Sequence, residues 1–184
     1  ISKYVKTKWY LTLDADCFFL FKGGVDNFFK NNKPLVNITN DIKNPEWWVN
    51  ASKSLNVELP KNTFCAVTPM ILKTDLCKEL SDNYDLEDLI FKKKCTEYTL
   101  YWLYGKKIGI KWEDVYTFEK LLSVATWHAE KNFKKTIEKF KLEYMKVKDL
   151  HPLIALFQSR LNKKNLLNVE TKKVLSDIRE IIQK

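Results

Sequence analysis

The chain has 184 residues, of which 45% are hydrophobic and 14% aromatic, and its formal net charge is +9. This composition supports a full hydrophobic core, which excludes a disordered protein, and no apolar run approaches the roughly 18 residues of a membrane-spanning helix. We expect one full domain with a small appendage. Because no secretory signal peptide is visible, we also expect a cytoplasmic protein without a transmembrane segment.

The positive charge comes mostly from lysine, and it is open to two interpretations. A lysine-rich surface can simply be solvated, or it can attract a polyanion such as a nucleotide diphosphate, nucleic acid or an acidic membrane. The cysteines are too far apart for the Cys-x-x-Cys pairs of a zinc ribbon. They stand at Cys17, Cys65, Cys77 and Cys95.

Two acids interrupt an otherwise apolar run near the start of the chain. Asp14 and Asp16 lie between two segments that are typical of buried strands, within residues 9–21. In an extended backbone both carboxylates would point to one side, where like charges repel unless a cation lies beside them. A hard divalent cation, Mn²⁺ or Mg²⁺, would remove that cost. The alternative is a surface turn, where short Asp-x-Asp triplets are common.

Strands and helices are predicted to alternate after this run. Apolar segments at 34–38 and 63–68 indicate strands, and Pro45 opens a short helix between them. This helix carries Trp47 and Trp48. The tryptophan pair either packs the helix against a sheet or forms a stacking platform for a sugar or base.

Helix boundaries in the middle of the chain are predicted from capping residues. Thr74 is expected to cap one helix, and Thr96 is expected to cap another that covers 97–104 and ends at Gly105. A short strand is predicted at 108–112. Helix is then predicted from Glu113 or Phe118 onward.

The last third of the chain is predicted to be largely helical. Residues 131–148 show a strong helical period with lysines around one apolar stripe, and a final helix is expected at about 170–183, after a strand at 153–157. The basic amphipathic helix either docks on the domain or lies on an anionic membrane. Its apolar stripe consists of Phe133, Ile137, Phe140, Tyr144 and Val147.

The order of these elements is typical of α/β nucleotide-sugar enzymes. The run from Tyr10 to Phe19 resembles the Asp-x-Asp region of glycosyltransferases with the GT-A fold. More narrowly, the chain resembles a little-characterised group of GT-A-like proteins found in bacteria and large DNA viruses. The motifs that carry this resemblance span residues 9–160 and are Trp47-Trp48, Thr68-Pro69-Met70, Thr96-Glu97-Tyr98 and Gln158-Ser159.

The resemblance implies an α/β fold with a GT-A-like (Rossmann-like) mixed sheet flanked by helices. It places the GT-A-like domain at 1–160 and a C-terminal helix at 161–184. Two departures from the group stand out: Pro69 replaces an expected His, and only eight residues precede Trp9, where GT-A enzymes have the βαβ units that bind the base. We therefore expect the chain to be the C-terminal part of a longer domain.

The resemblance further implies a metal-dependent glycosyltransferase that uses a nucleotide-sugar donor. Asp16 would bind Mn²⁺ or Mg²⁺ directly, Asp14 would reach the ribose or a metal-bound water, and His128 is the candidate third ligand. Glu97 is the candidate catalytic base. The substrate-binding candidates are Ala15, Trp47, Trp48, Met70 and Tyr98.

Each of these roles has a simpler alternative. Without the resemblance, Glu97 is an acid that stabilises a helix N-terminus, and His128 is an ordinary helix residue. For the whole chain, the alternatives are a basic nucleic-acid-binding module, a metal-dependent phosphoryl or nucleotidyl transferase and a degenerate GT-A scaffold. No helix-turn-helix, zinc-finger or RRM signature is present, so we expect no nucleic-acid partner.

Overall fold

The computed structural model describes residues 2–14, 17–20, 24–39, 45–60, 63–64, 68–119, 123–126, 133–148, 154–157, 176 and 180. The chain divides into two compact units, one made of 1–13 and 28–120, the other of 14–27 and 121–184. Both are mixed α/β, with small sheets flanked by helices. Within the ranges just given, no helix is both long and apolar enough to cross a lipid bilayer.

The elements are numbered here in chain order. The strands are β1 (Trp9–Thr12), β2 (Cys17–Phe19), β3 (Phe29–Lys30), β4 (Lys33–Thr39), β5 (Thr63–Phe64), β6 (Met70–Lys73), β7 (Thr117–Glu119), β8 (Ser123–Thr126) and β9 (Ile154–Phe157). The α-helices are α1 (Pro45–Leu55), α2 (Thr74–Asn83), α3 (Glu97–Lys107), α4 (Trp112–Val115) and α5 (Phe133–Val147). A π-helical turn covers Asp88–Lys92, and 3₁₀ turns cover Ser2–Tyr4 and Val25–Phe28.

The first unit contains two sheets. β1 and β6 pair antiparallel, with Trp9 opposite Lys73 and Thr12 opposite Met70. In the other sheet, β4 pairs antiparallel with β3 and β5 and parallel with β7. The parallel pair joins segments about eighty residues apart, with Val36 opposite Phe118. This pairing therefore forms only when the folded chain brings the two segments together.

Helix α3 forms the centre of the first unit. Every residue from Tyr98 to Gly105 is buried, so the helix is enclosed on all sides rather than on one face. Its N-terminus is held by a capping box: the Thr96 hydroxyl accepts a hydrogen bond from the Thr99 N–H, and the Thr99 hydroxyl accepts one from the Thr96 N–H. The core around α3 includes side chains from α1, α2, β6 and α4.

The second unit contains a mixed three-stranded sheet. β9 lies in its middle, antiparallel to β2 and parallel to β8. Helix α5 packs next to β8 and contributes Phe140 to the interior, where its ring stacks on that of Tyr144 at a centroid distance of 5.9 Å. The buried Phe140 and half-buried Tyr144 are members of the predicted apolar stripe of this helix.

Several predicted elements are confirmed. The strand at 34–38 is β4, the helix opened by Pro45 is α1, the helix within 131–148 is α5 and the strand at 153–157 is β9. The mixed α/β class is also confirmed. The domain boundary at 160 and the final helix remain predictions, because 158–175 lie outside the described residues and only 176 and 180 are described beyond them.

Other predictions were wrong at element boundaries. Gly105 does not end α3, which continues to Lys107, and Thr74 is the first residue of α2 rather than its cap. The Thr74 hydroxyl instead donates a hydrogen bond to the Thr7 carbonyl at 2.6 Å. Helix from Phe118 onward was also wrong, because 117–119 and 123–126 are strands. The predicted strand at 108–112 was wrong too, because 108–109 form a turn, 110–111 have no regular structure and Trp112 begins α4.

Candidate functional site

The Asp-x-Asp triplet begins two residues beyond the end of β1. Asp14 is exposed, and its backbone carbonyl accepts a hydrogen bond from the N–H of Cys17, the first residue of β2, at 3.1 Å. The Asp14 carboxylate thus faces water after a strand, whereas Ala15 and Asp16 lie outside the described residues.

A chain of hydroxyl groups holds the end of β1. The Thr12 hydroxyl donates a hydrogen bond to the Met70 carbonyl at 3.0 Å, and the Tyr98 hydroxyl donates one to the Thr12 hydroxyl at 3.2 Å. These bonds join β1, β6 and the first turn of α3. They bring together two predicted substrate-binding residues, Met70 and Tyr98, through Thr12, which the sequence analysis did not identify. The only sequence signal for Thr12 was its place two residues before Asp14.

Met70 and Tyr98 are core residues in the structure. The Met70 side chain is 1% exposed and that of Tyr98 is 7% exposed, and both belong to the hydrophobic cluster around α3. In addition to this packing, the Met70 backbone carbonyl and the Tyr98 side-chain hydroxyl each form a hydrogen bond with the Thr12 hydroxyl. A contact of either residue with a substrate remains a prediction.

The two tryptophans of α1 differ in exposure. Trp48 is 1% exposed and lies with Ala51 and Leu55 on the buried face of the helix, which packs beside α3. Trp48 is thus a packing residue, but the packing is against helix α3, whereas the sequence analysis expected packing against a sheet. Trp47 is only half-buried, so part of its indole ring remains open to solvent. Its role as a stacking platform remains a prediction.

Glu97 is the first residue of α3 and is exposed. A negative charge at this position interacts favourably with the helix dipole, in addition to the capping box formed by Thr96 and Thr99. The carboxylate is therefore both well placed to stabilise the helix and open to a substrate hydroxyl. Buried Tyr98 follows it directly and anchors this turn of the helix to Thr12.

The predicted metal ligands are only partly described. Asp14 belongs to the second unit, whereas Asp16 and His128 lie outside the described residues. Across the part of the chain that the structure describes, no group of three or more His, Cys, Asp or Glu side chains is arranged to hold a metal ion. The proposed set of Asp14, Asp16 and His128 therefore remains a prediction.

The thiols of Cys77 and Cys95 are poor candidates for nucleophilic chemistry. The side chains of Tyr10 on β1 and Cys77 on α2 form a hydrogen bond, and burial raises the pKa of the Cys77 thiol to about 11. At neutral pH the thiol is therefore protonated and a poor nucleophile. Burial also raises the pKa of the Cys95 thiol. In the first unit the exposed carboxylate of Glu97 is a better candidate for chemistry than either thiol.

Comparisons with known proteins give one match. Neither the comparison with curated proteins nor that with solved structures found a match to this chain. A protein-family model described as "Family of unknown function (DUF6492)" matches residues 1–182, almost the whole length. The chain therefore belongs to the DUF6492 family.

Proposed function

We propose that this protein is a metal-dependent glycosyltransferase that moves a sugar from a nucleoside-diphosphate donor to an acceptor. The observation that carries the proposal is the Asp-x-Asp triplet between β1 and β2, whose first acid, Asp14, is exposed two residues beyond the end of β1. The ordered motifs that resemble GT-A glycosyltransferases add support. On this proposal the fold is GT-A-like, the protein is cytoplasmic and its partner is a nucleotide sugar rather than nucleic acid.

The chemistry of the donor atoms suits the proposed metal. Carboxylate oxygens are the ligands that Mg²⁺ and Mn²⁺ prefer, and an imidazole such as that of His128 is compatible with Mn²⁺. Asp14, Asp16 and His128 would hold the ion. When bound, such an ion would coordinate the diphosphate of the donor and would offset the negative charge that develops on the leaving nucleoside diphosphate.

The protein residues would bind and orient the substrates. Glu97 would accept the proton of the attacking acceptor hydroxyl, which requires a carboxylate open to solvent as this one is. The half-buried Trp47 would stack on a sugar or base. Tyr98 and Thr12 would contribute indirectly, because their hydrogen bonds fix the end of the strand that precedes the acidic triplet.

The proposal is tested by calorimetric titration of UDP in the presence and absence of Mn²⁺. We expect UDP to bind only with the metal, and we expect Asp16→Ala to weaken this binding by at least about 100-fold, because it removes a direct ligand of the ion. Asp14→Ala is expected to weaken it less. A donor-sugar screen then measures transfer or slow hydrolysis, which Glu97→Gln is expected to reduce by about 100-fold or more.

Asp26→Ala is the matched control, because Asp26 is another exposed acid of the second unit and lies outside the acidic triplet. It is expected to leave UDP binding unchanged. Metal-independent binding, or equal losses in Asp16→Ala and Asp26→Ala, would contradict the proposal. Binding of UDP and Mn²⁺ without turnover of any nucleotide sugar would instead indicate a degenerate scaffold.

A further inference from the structure

Helix α5 carries two large apolar side chains, Leu142 and Met145, that are exposed rather than packed in the interior. Phe140 is fully buried, whereas Leu142 is 65% exposed and Met145 is 49% exposed. At about 100° per residue, Leu142 and Met145 lie about 200° and about 140° around the helix from Phe140. They are therefore neighbours, one turn apart, on the face opposite the buried Phe140.

Exposed lysines border this pair on both sides. Lys141 and Lys148 lie about 100° and 80° from Phe140 on one flank, and Lys139 and Lys146 lie about 260° and 240° from it on the other. All four side chains are exposed. We call the surface formed by Leu142, Met145 and these four lysines the α5 outer face.

Two acids lie on or beside the α5 outer face. Glu138, which is exposed, lies about 160° from Phe140 and thus between the lysine rows. Glu143 forms an ion pair with Lys146 at 2.8 Å, so this lysine is partly neutralised. The segment 133–148 still carries six lysines against two glutamates, and its charge is clearly positive.

We propose that the α5 outer face binds the surface of an anionic lipid bilayer, with the helix lying in the plane of the membrane. The charge of the face is complementary to acidic headgroups, and its apolar residues lie at the centre between the charges. Long lysine side chains can extend sideways to headgroups while the centre of the face contacts acyl chains. This inference is independent of the proposed transferase activity.

A bilayer fits this face better than nucleic acid does. The phosphates of a nucleic acid would pair with the lysines but would make no apolar contact with exposed aliphatic side chains. Proteins that bind single-stranded nucleic acid also use exposed aromatic rings, on which the bases stack. The residues at the centre of the α5 outer face are Leu142 and Met145, which have no ring. The half-buried Tyr144 lies about 40° from Phe140 and thus on the same side of the helix as that buried ring.

Binding is expected to need both the charges and the apolar pair. A lysine close to an anionic membrane strengthens binding about fivefold, so the lysines of the α5 outer face give a useful but reversible affinity, to which Lys146 contributes less because of its ion pair with Glu143. Partial insertion of the Leu142 and Met145 side chains strengthens binding further, but two side chains are too few to hold the protein on a neutral membrane without the lysines. Membrane association should therefore depend on acidic lipid and fall with added salt.

The test is co-sedimentation of the 184-residue chain with vesicles. Vesicles containing about one-third phosphatidylserine are compared with pure phosphatidylcholine. We expect binding to the first only. Replacing Lys141, Lys146 and Lys148 with Gln should weaken it by on the order of 100-fold, and Leu142→Ser with Met145→Ser by about tenfold. Glu138→Gln should strengthen it about fivefold, since a repulsive charge is removed.

Matched controls come from the first unit. The triple variant Lys6→Gln, Lys53→Gln and Lys111→Gln removes the same charge from other exposed lysines, and Phe91→Ser with Ile108→Ser removes two other exposed apolar side chains. Both should bind vesicles clearly better than the α5 variants. Circular dichroism checks that every variant is folded.

Three results would overturn the proposal. They are no binding to acidic vesicles, equal binding to neutral and acidic vesicles, and equal losses in the α5 variants and their controls. Titration with a single-stranded oligonucleotide provides one more comparison. If the chain binds it more tightly than acidic vesicles, and Leu142→Ser with Met145→Ser leaves that affinity unchanged, the face is a nucleic-acid surface instead.

Discussion

At the scale of single residues, Gly105 shows how tightly the first unit is packed. It lies within α3, and the indole of Trp112 packs directly against its backbone. A Cβ atom placed at Gly105 would overlap the Trp112 ring. The glycine is therefore needed for close approach between α3 and α4, which explains its place inside a helix despite a propensity cost of about 1 kcal/mol relative to alanine.

We predict that Gly105→Ala destabilises the protein by about 2–4 kcal/mol. The overlap forces the buried side chain of Trp112 to move, and this cost exceeds the gain in helix propensity. The free energy of unfolding from urea titration is the measurement. Gly24→Ala is the control, because a Cβ at Gly24 meets nothing within 4 Å, and its effect should stay within about 0.5 kcal/mol. Equal stability of the two variants would show that Trp112 adjusts freely.

At the scale of elements, a pair of tyrosines joins α3 to the edge of β6. The Lys73 N–H donates to the Tyr101 hydroxyl at 3.1 Å, the Tyr101 and Tyr116 hydroxyls are 2.6 Å apart, and the Tyr116 hydroxyl donates to the Ile71 carbonyl at 2.7 Å. Each hydroxyl has one proton, so Tyr101 donates to Tyr116. The pair thereby satisfies two backbone groups of β6 that a further strand would otherwise pair.

We predict that Tyr116→Phe lowers the free energy of unfolding by about 1–3 kcal/mol. The substitution keeps the ring but leaves the buried Ile71 carbonyl without this donor and Tyr101 without this acceptor. Urea unfolding measures the change. Tyr4→Phe is the matched control, because Tyr4 is 89% exposed, and it should have almost no effect. A loss as small as that of the control would mean that water replaces the hydroxyl.

At the scale of the whole molecule, buried tyrosines link stability to alkaline pH. Burial is the main cause that raises the pKa of Tyr10, Tyr101 and Tyr116 well above the usual value of 10.0. Below that value these tyrosines are neutral in both the folded and the unfolded chain. Above it the unfolded chain loses their protons first, whereas the folded core retains them, and unfolding becomes more favourable.

We therefore predict that stability is constant between about pH 8 and pH 9 and then falls as the pH rises. Cys77, whose pKa rises from 9.0 to about 11, should contribute first, and the tyrosines should follow above pH 10. Each fully buried tyrosine should add a slope of about 1.4 kcal/mol per pH unit. Urea midpoints measured between about pH 8 and pH 11 test this. Tyr116→Phe should make the fall of the urea midpoint with pH less steep. A wild-type midpoint that stays unchanged across this range would contradict the prediction.

The sequence predicted those elements whose signals are local. Pro45 at the first turn of α1, the apolar run of β4 and the helical stripe of α5 each lie within one short segment, and all three elements are confirmed. The α/β class follows from the same signals. The strand predicted before the acidic triplet is β1, and the exposed Asp14 lies two residues beyond its end.

Tertiary structure decided the features that depend on distant residues. Strands β7 and β8 are short and pair with β4 and β9, so no local period distinguishes them from helix. The end of α3 was misplaced because Gly105 accommodates Trp112 rather than ending the helix. Likewise, Thr12 joins Met70 and Tyr98 across 58 and 86 residues. Local propensity acts within a few residues, whereas packing and strand pairing depend on which distant segments the folded chain brings together.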